Sequence, residues 1–176
     1  MWPWDHVAIA YTVTSLGMRI RGDRPNRPVA IAAVAGALGP DLVDKPLAWV
    51  VGVLPSGTSL AHSLLICLPV LAVLRTRLSR RVWDAVAAGY LSHLLADVAY
   101  GYLTPGPGHA EFLLWPLLPL PPRVAPTAVG TLTTLLGALR YFLSTPTGRV
   151  FVVVDIAVLS VTLGLWLADG APGVRP

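Results

Sequence analysis

Long apolar stretches alternate with short polar interruptions along this chain. Apolar runs bounded by Arg, Pro or Gly predict six helical pieces, over residues 5–18, 28–39, 60–74, 82–103, 126–143 and 149–168. A full bilayer crossing takes about 20 apolar residues. The fourth and sixth pieces reach that length, and the first and fifth come near it. The second is short and is expected to halt at Gly39-Pro40, inside the bilayer, where a helix end is tolerated only against protein or a wet cavity. PLAWVVGVL (46–54) is too short to span and reads as re-entrant or interfacial. Residues 104–126 hold too many prolines for a regular helix and read as a loop along the membrane surface. The expected fold is all-α: a polytopic membrane helical bundle of about six helical segments, one or two of them short or re-entrant, forming a single membrane-embedded domain over residues 1–176.

Composition supports a lipid environment. The chain is 55% hydrophobic and 12% charged, where a soluble domain carries about 25% charge. Its 13 basic residues outnumber nine acidic ones. Most of the excess lies in two clusters, MRIRGDRPNR (18–27) and RTRLSRR (75–81). Short Arg clusters suit anchoring at an anionic membrane face; nucleic-acid binding asks for a broad basic surface, so no nucleic-acid partner is expected. If six segments alternate, both clusters and Arg149 share one side, which the positive-inside bias makes cytoplasmic. Both termini and the loops 40–61 and 104–125 then fall outside, and Trp2, Trp4, Trp49, Trp115 and Trp166 fall at the outer interface. The protein is expected in the cell membrane as a multi-pass protein with membrane lipids as its surroundings. The N-terminus lacks a basic n-region, so no cleaved signal peptide is expected. Cys67 is the single cysteine, which excludes an internal disulfide.

The remaining polar residues converge on that map. His6 opens the first helix, Asp41 and Asp44 follow the second, His62 opens the third, and His93 and Asp97 lie in the outer half of the fourth. All fall at the outer, extracytoplasmic end. Two or three His with two or three Asp form a donor set for a borderline divalent metal, most naturally zinc. The i, i+4 spacing of His93 and Asp97 turns both donors to one side of a helix. Charge inside a bilayer is costly unless paired or coordinating, so such a cluster reads as a functional site. A His–Asp pair can also serve as interhelical glue. His109 is a weaker candidate, on a wet loop, for contact with substrate. Tyr90 or Ser92 is expected to orient His93 by a hydrogen bond.

GPDLVDKP, AHSLL, GYLSHLLADV and the downstream LLWP resemble the YdjM-type membrane-bound metal-dependent hydrolases of prokaryotes, over roughly residues 4–118. The resemblance implies His6, Asp41, His62, His93 and Asp97 as the metal site. The order His…Asp…His…His-x3-Asp is also similar to zinc-dependent phospholipase C and the single-strand-specific zinc nucleases. That similarity implies one ion on Asp41, His62, His93 and Asp97, and a second held in part by His6 and Asp97. This chain departs from the pattern in two places. Gly57 and Thr58 stand where the family often has His and Arg, and the Asp pair is spaced Pro-Asp-x-x-Asp.

The resulting expectation is a membrane-bound hydrolase of phosphoesters or lipid head groups, using one or two Zn2+ ions. Its substrate would be amphiphilic or phosphate-containing. Asp41 or Asp44 would accept the proton of a metal-activated water, and Lys45 would attract the phosphate. The alternative is a non-catalytic metal-binding membrane protein or transporter with His/Asp interhelical pairs.

Overall fold

The computed structural model describes residues 2–103, 110–120 and 128–174. Among them are six α-helices and no strand. These are α1 (Pro3–Ile20), α2 (Arg27–Pro46), α3 (Leu64–Arg77), α4 (Arg80–Leu103), α5 (Ala128–Ser144) and α6 (Pro146–Ala168). Local chemistry sets most of the starts. Pro3 and Pro146 occupy first-turn positions, where a missing N–H costs nothing. Asn26, Ser63 and Thr145 cap α2, α3 and α6 by accepting from Val29, Leu65 and Gly148 amides.

The second helix does not halt at Gly39-Pro40. It runs through Pro40 to Pro46 and continues as a π-helical turn, Leu47–Val51, until Gly52 ends it in the left-handed region at φ 74°. A proline removes one ladder bond and bends a helix. Pro40 is itself buried, so the surrounding packing holds the chain helical across it. PLAWVVGVL is accordingly the tail of α2, not a separate re-entrant piece. The third helix starts at Leu64, so His62 sits in an ordered loop before it. The described part of the 104–126 segment is also more than a surface loop. A 3-10 turn, Glu111–Leu114, buries Phe112 against Cys67, Leu71, Tyr90 and Leu94.

The helices α1, α2 and α4 form the core, with α6 on α1, α3 on α4 and α5 on α6. The central contact is between α2 and α4, and small residues make it close. A Cβ on Gly36 would collide with the Val86 carbonyl oxygen, and one on Gly89 with the Ala33 carbonyl oxygen. Buried Ala33, Ala37 and Ala85 complete this seam. Small residues that let backbones touch are the usual means of holding helices together in lipid.

Only α6 among the described residues is long and apolar enough to cross a membrane by itself, with a mean hydropathy of 2.4 over its window. Its residues face outward there. By contrast α2 and α4 carry carboxylates, imidazole and several Arg, and α3 spans only about 21 Å at 1.5 Å per residue for its 14 residues.

Helix directions correct one expectation. Thr12 hydrogen-bonds Thr162 at 2.8 Å, and Tyr11, Ser15 and Arg19 all bond Asp169. Asp5, near the start of α1, contacts Asp155 on α6. Helix α6 is therefore parallel to α1, not antiparallel as strict alternation of six spans requires. Its C-terminal end, with Trp166, lies beside the first Arg cluster, and Arg24 donates to the Ala168 carbonyl at 3.1 Å. Its N-terminal end, with Arg149, lies beside the C-terminal end of α4, where Phe151 meets Tyr100 with ring centroids 5.7 Å apart. Arg149 and Trp166 thus exchange the ends expected for them, and the two chain ends lie at opposite ends of the bundle.

Candidate metal centre

The seam between α2 and α4 presents Asp41 on one helix and His93 with Asp97 on the other, and α1 adds His6. The fourth contribution comes from the loop before α3, and Asp44 shapes it. Its carboxylate accepts from the amides of Ser59 (2.7 Å), Ala61 (2.8 Å) and His62 (3.3 Å), and from His62 Nδ1 at 2.8 Å. Tyr90 Oη donates to the Ala61 carbonyl from the other side. The loop is thereby folded around a fully buried carboxylate, and His62 is delivered into the bundle ring first.

His62 and His93 are both 0% exposed, and their Nε2 atoms lie 3.0 Å apart. Each ring uses its other nitrogen for an acceptor, Asp44 for His62 and the Ala37 carbonyl, at 2.6 Å, for His93. An acceptor at Nδ1 places the proton there and leaves Nε2 with a bare lone pair. At 3.0 Å a proton or a metal cation must lie between the two Nε2 atoms, since two bare lone pairs would repel. Carboxylate oxygens surround the same point. From His62 Nε2 the distances are 3.6 Å to Asp41 Oδ1 and 3.5 Å to Asp97 Oδ2. From His93 Nε2 they are 4.0 Å and 3.4 Å to the same two atoms. Four ligands of a tetrahedral ion at bond lengths of 2.0–2.2 Å stand about 3.3–3.6 Å apart. Asp41, His62 and His93 therefore form a buried group that could hold a metal ion, and Asp97 Oδ2 lies 3.4–3.5 Å from both imidazoles. The charges agree. Asp41, Asp44 and Asp97 face one ammonium, Lys45, and a divalent cation that displaced the His62 proton would balance the two negative charges left.

Protonation responds to the same field. Burial alone would lower the pKa of His62, but its hydrogen bonds with Asp41, Asp44 and Asp97 raise it to about 10. Without a metal, that proton sits on His62 Nε2, facing His93 Nε2 at 3.0 Å and the carboxylates, at the position a divalent cation would take.

His6 stands one step outward. Its Nε2 lies 3.2 Å from Asp97 Oδ1, and its ring stacks on His93 with centroids 3.8 Å apart. Its Nδ1 is buried without a hydrogen-bond partner. His6, His93 and Asp97 make a second group whose donor atoms lie close enough for one ion, with His93 shared between the groups.

The structure thus brings together His6, Asp41, His62, His93 and Asp97, and it assigns Asp44 differently. Asp44 has both oxygens engaged by amides and by His62, so it orients a ligand and is not placed as ligand or proton acceptor. Lys45 is beside the centre, its Nζ 2.5 Å from Asp41 Oδ2 and over the Trp49 ring. Gly57 makes room for that arrangement, since a Cβ there would press on Lys45 and Trp49 at 3.1–3.2 Å. Neither Tyr90 nor Ser92 orients His93 by a hydrogen bond; Tyr90 Oη donates to the Ala61 carbonyl and Ser92 Oγ to the Gly89 carbonyl. His109 lies outside the described residues. The sequence reading missed the Ala37 carbonyl, for which a backbone acceptor leaves no residue signature.

Asp44→Asn should weaken metal binding about 10–100-fold, the usual cost of removing a partner that orients a ligand. Titration with a divalent-metal indicator measures it, and unaltered affinity would show that Asp44 serves the loop alone.

Fold and site define an all-helical protein built around a buried His–Asp centre with the composition and spacing to hold a metal ion. The family model described as YdjM inner membrane protein matches residues 1–171. The chain belongs to that family and is a membrane protein. No curated protein and no solved structure shows significant similarity to it.

Proposed function

We propose that the chain is a multi-pass, zinc-dependent membrane hydrolase of phosphoesters, acting at the extracytoplasmic face on an amphiphilic substrate. The observation that carries this reading is the buried Asp41, His62 and His93 group with Asp97 beside both imidazoles, each imidazole oriented through Nδ1. Two imidazoles with two carboxylates suit zinc, and a bound zinc supplies an acidic water and polarises a phosphoryl oxygen.

The chain's own residues do the rest. Asp44 and the Ala37 carbonyl fix the two rings. Asp41 would accept the proton through Oδ2, the oxygen that Lys45 contacts, because both oxygens of Asp44 are taken by amides and His62. Lys45, whose side chain is 31% exposed where the imidazoles are sealed, draws an anionic group toward Asp41. His6 holds Asp97 from behind, or shares it with a second ion.

The helix directions support the orientation. Eight Arg, at positions 19, 21, 24, 27, 75, 77, 80 and 81, lie at the end of the bundle away from the centre. The positive-inside bias makes that end cytoplasmic. Trp2, Trp4, Trp49 and Trp115 lie toward the other end, where an interfacial aromatic belt belongs. With α6 parallel to α1, the chain between α4 and α6 leaves and returns on the extracytoplasmic side.

A non-catalytic metal-binding protein is the second reading, and one observation favours it. His62 and His93 are 0% exposed, and a sealed site whose four positions were all filled by Asp41, His62, His93 and Asp97 would be a structural one, whereas catalytic sites keep a position open. Zinc-loaded protein assayed on a phospholipid and on bis(p-nitrophenyl) phosphate separates the two. Hydrolysis is expected, abolished by chelation and reduced about 100-fold or more in Asp41→Asn. A zinc-replete protein inert on both substrates would establish the non-catalytic reading.

A further inference from the structure

The Arg-rich end of the bundle carries a cleft of its own, remote from the His–Asp centre. It lies between α1 and α4 and encloses about 380 Å3. Its rim is formed by Arg21, Arg80 and Arg81 with Asp23 and Asp84; one to two helical turns inward its floor is Val13, Thr14, Gly17 and Ala88. Three guanidiniums face two carboxylates. Arg21 bonds Asp84 at 2.6 Å and Arg81 bonds Asp23 at 2.9 Å. These pairs hold two guanidiniums in place, and each keeps further N–H donors, since a guanidinium has five. Arg80 has no ion-pair or hydrogen-bond partner among the described residues and supplies the net positive charge of the rim. On the floor, the Thr14 hydroxyl is buried without a partner, in a side chain only 6% exposed. Around Gly17 there is open space where a Cβ would stand.

A cleft with a basic rim, one unpartnered hydroxyl and an apolar floor has the polarity of a phospholipid: an anionic phosphate, then ester oxygens, then hydrocarbon. Val13 is 46% exposed at its edge, so the floor continues onto the outer face of the bundle. We propose that this cleft binds the head group of an anionic phospholipid, with the phosphate on Arg80 and its neighbours, an ester oxygen at Thr14, and the first acyl carbons over Gly17 and Ala88. A free phosphate would satisfy the rim and leave the floor unused. A zwitterionic lipid would bring its own cation against the guanidiniums. Basic pockets between helices on the cytoplasmic side are the usual seats of such lipids.

The test uses the full chain in detergent, titrated with phosphatidylglycerol, phosphatidylcholine and inorganic phosphate and read by native mass spectrometry. Phosphatidylglycerol should bind and phosphatidylcholine should not compete. Arg80→Gln should weaken phosphatidylglycerol binding about fivefold, the worth of one interfacial Arg. Gly17→Leu, whose Cβ has nothing within 4 Å, should fold normally, weaken the lipid and leave inorganic phosphate unaffected. Arg140→Gln, on exposed α5, should change nothing, and metal content should be the same in every variant. Equal binding of the two lipids would overturn the proposal, as would phosphatidylglycerol binding indifferent to both Arg80→Gln and Gly17→Leu. Inorganic phosphate that displaces the lipid at equal concentration would reassign the cleft to a free anion.

Discussion

His93→Ala should release the metal ion while leaving the helices folded. His93 gives one of two imidazole nitrogens to the centre, and its partner atoms stand 3.0–4.0 Å away around a common point. Removing a ligand costs more than removing an orienting partner, so the affinity should fall by more than about 100-fold. Stability should fall by about 1–3 kcal/mol, from the lost bond to Ala37 and the cavity beside His6. Asp97→Ala should do the same to the metal. The double variant should be little worse than either single one, since ligands of one ion act as a unit. If His93 and Asp97 were only interhelical glue, stability would fall with bound metal unchanged. Metal content and thermal unfolding, measured on the same preparations, distinguish these patterns.

Gly89→Leu should cost the protein both its fold and its centre. A Cβ at position 89 meets the Ala33 carbonyl oxygen and, at 2.9 Å, the Ala37 amide nitrogen. These are backbone atoms of α2 and cannot swing aside. The helices must separate, and Asp41 and the Ala37 carbonyl leave His93 with them. Overpacking of this kind costs about 1–3 kcal/mol where side chains can yield, and here they cannot. The expected result is poor recovery of folded protein in detergent and a metal affinity too low to measure. Gly17→Leu, in open space, is the matched control. A folded, metal-replete Gly89→Leu variant would show that the α2–α4 seam does not position the site.

Several of these features were legible in the sequence. The i, i+4 spacing of His93 and Asp97 and the recurrence of His and Asp at one end of successive helices identified five residues that the structure brings together. Hydropathy and Pro/Gly punctuation located six helices. What was not legible follows from tertiary context. Pro40 looks like a stop, but one missing ladder bond does not end a helix that is packed along α4. Asp41 and Asp44 look alike in sequence, and only the fold of residues 56–63 around Asp44 distinguishes the carboxylate that faces both imidazoles from the one that holds the loop. Strict alternation assumed that each apolar piece crosses the bilayer. The bonds from α1 to Thr162 and Asp169 show that the chain between α4 and α6 returns to the end it left, which inverts the positions of Arg149 and Trp166.

The central claim is a metal ion held by Asp41, His62, His93 and Asp97. X-ray absorption on the wild-type protein, purified without chelator at neutral pH, tests it most directly. The account predicts at least one divalent ion per chain with two imidazoles in its coordination shell, and nitrogen and oxygen ligands at about 2.0–2.2 Å. A metal-free protein, or a bound metal without imidazole scattering, would contradict it.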